Sequence, residues 1–132
     1  MFDQSPRQLL ETLARVNRIL KDRAIELRRL AGVKSVQTSL EIVSNQNGPL
    51  IEGYLEVSFG KSDWACWFLD ASCNADSWTI DAKLDSESGT GPETLYEIPT
   101  RVIDNFEDFA VALEQTVHEL LTQQPIIPKF LT

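Results

Sequence analysis

Histidine occurs once and cysteine twice in the 132 residues, so the side chains most used for metal centres and nucleophilic dyads are nearly missing. Cys66 and Cys73 are seven positions apart, a separation that fits none of the close-paired spacings of zinc or thioredoxin-like sites. They read as two unlinked thiols in a reducing compartment. His118 falls in the last helical segment, one turn after Glu114, and reads as a partly exposed helix residue. As a base for either cysteine it would need a cleft and an orienting group, which spacing does not supply. No serine sits in a nucleophile elbow, and Gly89-Thr90-Gly91 opens onto Pro92 rather than a helix, so no phosphate cradle is indicated. Asp85-Ser86-Glu87-Ser88-Gly89 carries fragments of a calcium loop without its full ligand series. No catalytic, cofactor or metal residue is assigned, and the expectation is a protein that is not an enzyme.

Long apolar runs are also missing. The longest, Trp64 to Leu69, is far too short to cross a bilayer, and Met1 to Pro6 has neither the basic nor the apolar region of a secretory leader. A cytoplasmic protein without a membrane partner is expected. At 42% hydrophobic and 24% charged, the chain can bury a core of ordinary size without disulfides or metal.

What is abundant is acid, and it is unevenly placed. The formal charge is −8, yet residues 1–34 hold eight Lys or Arg against four acids, and the remainder holds four against sixteen. An electrically two-ended chain follows, either steering charged partners or setting a basic helix beside an acidic sheet.

Ser5-Pro6-Arg7-Gln8 marks a helix start, with Ser5 as cap. Leu9, Leu13, Val16, Leu20, Ala24, Leu27 and Ala31 then recur at three- and four-residue steps, and Gly32 terminates. The opposite face is charged, and Glu11 with Arg15 and Arg18 with Asp22 stand four apart, where they can pair locally. Nucleic acid, which calls for unopposed cations, is not expected as a partner. Ile25 interrupts that charged face and calls for a cover, from the C-terminal tail or from a partner.

From Val36 the period becomes 2. Val36 to Ile42, Ile51 to Phe59 and Trp78 to Leu84 alternate, with a shorter fifth strand around Thr94 to Ile98 after a Ser86 to Pro92 loop. Asn45 to Pro49, Gly60 to Asp63 and Ser72 to Ser77 carry turn chemistry. Trp64 to Leu69 is apolar at both parities, as in a central strand covered on both faces by its own domain or by a second molecule in a homodimer. Asp104-Asn105-Phe106-Glu107 forms a second capping box before a stripe from Phe106 to Leu121. The resulting fold is α+β: a five-stranded antiparallel meander with N- and C-terminal helices packed on one face, a two-layer sandwich. Residues 1–132 form one domain on this reading, with helices at about 6–31 and 105–122, strands across about 36–99 and an apolar tail at 125–132.

Glu52, Tyr54, Glu56, Trp67 and Asp81 are the candidate partner-binding residues, aromatics rimmed by acid on the sheet face away from the helices. Their field would attract a basic protein partner. In size, acidity and layout the chain generally resembles bacterial immunity proteins and secretion chaperones; no motif carries the likeness. The competing expectation is a small-ligand pocket or weak enzyme between sheet and helices, lined by Trp64, Trp78, Phe106 and Phe109.

Overall fold

The computed structural model describes residues 6–45, 48–60, 63–74, 77–88 and 91–122. The elements run α1 (Pro6–Arg28), β1 (Ser35–Asn45), β2 (Gly48–Ser58), β3 (Trp64–Asn74), β4 (Ser77–Ser88), β5 (Gly91–Ile103) and α2 (Phe106–Leu121). The strands form one antiparallel sheet in the order β1-β2-β3-β4-β5, with both helices on the same face.

The strands are longer than alternation indicated. In the β1–β2, β3–β4 and β4–β5 hairpins, pairing runs out to Asn45↔Gly48, Asn74↔Ser77 and Ser88↔Gly91. Pro49 is therefore in β2, and most of the expected Ser86 to Pro92 loop is ladder. Tight antiparallel turns let backbone hydrogen bonds extend a strand through polar residues that show no hydrophobic pattern.

Side chains of one parity face the helices. Leu55, Trp67 and Leu84 lie abreast on neighbouring strands, as do Ile51, Ala71 and Ile80, and all six are buried. α1 lies mainly over β1 and β2, and α2 over β3, β4 and β5. α1 contributes Leu13, Val16, Leu20, Ala24 and Leu27 to the core. It ends at Arg28 rather than near 31: the Arg29 and Leu30 N–H groups turn back onto the Glu26 and Leu27 carbonyls, and Gly32 takes a φ of 88°. Ala31 is left exposed by that turn. α2 is capped by Asn105, whose backbone is extended and whose Oδ1 accepts from the Asp108 N–H at 2.8 Å while its Nδ2 donates to Asp108 Oδ2 at 2.7 Å. The cap thus starts one residue later than Asp104, and Asp108 rather than Glu107 completes it. The Ser5 cap and the tail at 125–132 lie outside the described residues.

The charged face of α1 pairs differently from the local expectation. Arg7 meets Glu11 at 3.3 Å, while Arg15 reaches across to Glu114 of α2 at 2.8 Å. Arg23 pairs with Glu26, and among the described residues Arg18, Lys21 and Asp22 form no ion pair. Arg101 ties β5 to α2 through Thr116 at 2.9 Å and Glu119 at 3.3 Å.

The two sheet edges differ. β5 shifts register against β4 twice: Pro99 and Thr100 stand opposite Asp81 alone, and Leu95 is the extra residue between the Leu84↔Tyr96 and Asp85↔Thr94 pairs. At each bulge a threonine donates to a β4 carboxylate, Thr100 to Asp81 and Thr94 to Asp85. Proline lacks an N–H, so Pro99 sits where the ladder is already interrupted. β1, by contrast, pairs with β2 from end to end without a shift.

At the centre of the helix-side core, Trp78 stacks on Phe109 with ring centroids 4.0 Å apart and planes 14° from parallel, and Phe106 tilts against Phe109 at 5.9 Å. Phe109→Ala should cost about 3–5 kcal/mol, the range for emptying a buried aromatic site. Urea denaturation followed by Trp fluorescence reads this as a lower midpoint with an unchanged slope.

Candidate functional site

The sheet face away from the helices is covered by no described element, and the antiparallel register arranges its side chains in rows across the strands. One row is Glu41, Glu52, Asp70 and Asp81, each opposite the next on β1 to β4. The next row holds Tyr54, Phe68, Lys83 and Glu97 on β2 to β5. A third holds Glu56, Cys66 and Asp85, followed by Trp64 and Glu87 in the fourth. Two acidic rows thus flank an aromatic one, at about 7 Å per step along the strands and about 4.8 Å between strands.

Four of the five candidate residues, Glu52, Tyr54, Glu56 and Asp81, are brought together here. Trp67 is not: it lies in the helix-side layer between Leu55 and Leu84 and is 2% exposed. The aromatic beside Tyr54 is Phe68, its direct cross-strand neighbour. Because Trp67 and Phe68 are consecutive and both apolar, composition gives no parity, and only pairing with the alternating β2 and β4 assigns each ring a face. Glu41, Asp70 and Lys83 were likewise missed, since rows form across strands rather than along them. The alternation of β2 and β4, carried across an antiparallel meander, is the signal that points to them.

The four rings expected to line a ligand pocket do not meet. Trp78, Phe106 and Phe109 fill the core, whereas Trp64 lies on the opposite face and donates its Nε1–H to Glu87 Oε2 at 3.2 Å. On the open face, the depression among Phe68, Asp70, Asp81, Lys83 and Glu97 holds ≈ 60 Å³. That is the scale of a couple of waters, well below the few hundred Å³ of a substrate site. Among the described residues, no group of three His, Cys, Asp or Glu side chains could hold a metal ion.

Charge on this face is poorly balanced. Lys83 is its one cation among the described residues, with Nζ 3.2 Å from Asp85 Oδ2 and 5.8 Å from the Phe68 ring centre. Partial burial, then the carboxylates of Glu52 and Asp81 on either side, raise Asp70 above its usual 3.8, with Lys83 opposing. Burial first, then Glu56 and Asp85, push the Cys66 thiol up to about 12. Cys73 has the opposite parity, on the helix side beside Trp78, so the sheet itself separates the two free thiols.

In comparisons with known protein families, curated proteins and solved structures, nothing matched the chain. No helix among the described residues is long and apolar enough to cross a membrane.

Two measurements check this electrostatic picture. Asp70 binds its proton more tightly folded than unfolded, so its contribution to stability improves as pH falls through the folded pKa toward 3.8 and worsens as pH rises. Asp70→Asn should raise the urea midpoint at pH 7 and reduce the fall in midpoint between pH 4 and pH 7. Cys66 should resist a thiol reagent at pH 8 in the native state and react on unfolding, because almost none of it is thiolate.

Proposed function

We propose that this chain acts without catalysis, binding a basic protein partner on the open face of its sheet in an immunity-protein or chaperone-like role in the cytoplasm. The observation that supports this reading is the row Glu41, Glu52, Asp70 and Asp81, four carboxylates abreast on adjacent strands. Like charges directly opposite one another in a sheet destabilise it. Interleaved lysines would remove that cost, and cations from a partner remove it equally well on binding. Tyr54 and Phe68, half-buried beside the row, supply rigid apolar area that desolvates with little loss of entropy. The negative field would speed encounter with a cationic surface and disfavour acidic ones.

The test is capture from the native host on immobilised protein. Tyr54→Ala combined with Glu56→Lys should weaken capture of a basic protein by roughly tenfold or more, the scale expected from losing an aromatic anchor and reversing one charge. The same partner should elute as ionic strength rises. Capture unchanged in the double variant, with circular dichroism showing the fold intact, would rule this face out.

A further inference from the structure

From the contrast between the two sheet edges, we infer a second docking site, beside the acidic face: the outer edge of β1 takes up an extended, acidic segment of a partner protein as a sixth strand. β5 is blunted by Pro92, Pro99, two bulges and the charges of Glu93, Glu97 and Arg101. β1 lacks the prolines and the bulges. It is eleven residues long, free of proline, unbroken in register and carries a single charge, Glu41. Such an edge offers backbone donors and acceptors to an added strand beyond Val36, whose carbonyl already accepts from Arg28.

The surroundings of this edge specify what would be added. α1 runs beside β1 in the opposite sense: Arg28 Nη2 donates to the Val36 carbonyl at 3.3 Å, and Leu20 packs by Gly53, the partner of Leu40. The groove between helix and strand is lined by Lys21, Ile25, Arg28, Val36 and Thr38, and Ile25 is 45% exposed there. Ile25, out of place on a charged helix face, thus forms the apolar centre of a groove with a cation at each end. Lys21 to Arg28 spans about 10 Å along a helix, and five residues of strand span about 13 Å, a difference that flexible lysine and arginine side chains absorb. The matching segment has an apolar residue over Ile25 and acids two positions before and after it. Its intervening side chains fall on the other face, beside Gln37, Ser39 and Glu41, where neutral polar residues fit.

Charge selects a partner strand over a second copy of this chain. Joining two copies edge to edge about a two-fold axis through β1 would bring the two α1 flanks, each carrying Lys21 and Arg28, toward each other, whereas an acidic segment neutralises both.

The test uses the full chain and a synthetic peptide with a Glu-Thr-Val-Thr-Glu core, observed by amide NMR titration. Shifts concentrated at residues 36–42 are expected. A Lys-Thr-Val-Thr-Lys peptide should bind at least tenfold more weakly, and Lys21→Glu with Ile25→Thr, which leaves Arg28 opposed by one acid, should remove that preference. Thr38→Pro, which removes one edge N–H, should abolish the shifts while its circular dichroism stays that of the parent chain; Thr38→Val, which keeps the N–H, should retain them. No shift at residues 36–42 at millimolar acidic peptide, equal binding of the two peptides, or sedimentation showing β1 occupied in a dimer that Thr38→Pro dissociates would each overturn the inference.

Discussion

Everything in this molecule depends on one face of the sheet being sealed by both helices. Alternation sends Leu55, Trp67, Leu84 and their neighbours toward α1 and α2, and the Trp78–Phe109 stack closes the layer between them. Burial of that face sets the parity of every strand, because slipping any strand by one residue would carry its apolar set into water. The reverse face inherits whatever remains. Its acidity and its aromatic row are consequences of the same register that builds the core.

The reverse face pays for this arrangement in charge. Eight carboxylates on that face, Glu41, Glu52, Glu56, Asp70, Asp81, Asp85, Glu87 and Glu97, are opposed by Lys83 alone among the described residues. Threonines donated by the two β5 bulges relieve Asp81 and Asp85, and nothing comparable serves the centre of the acidic row, where Asp70 holds its proton more tightly than usual. The positive charge sits elsewhere, on α1, above the β1 edge. The signs are thus separated onto two surfaces instead of interleaved.

The stripes of α1 and α2 and the alternation of β2 and β4 announced the two layers, because a helix or strand with one buried side repeats its apolar residues at its own period. Hairpin ends were invisible, since Ser86, Pro92 and Pro49 extend strands through backbone bonding that side-chain pattern does not report. Trp67 and Phe68 exchanged roles for a related reason: β3 is central and carries apolar residues at both parities, so only its neighbours decide which ring is core and which is surface.

The sequence by itself determined the α+β class, the chain order of elements and the opposed charges of its two portions, all of which follow from composition and from periodicities within single segments. Tertiary structure alone decided which carboxylates stand abreast, which tryptophan is hidden and which outer strand is regular and which bulged. Those properties arise from register between strands, and register is a relation among segments that no one segment encodes.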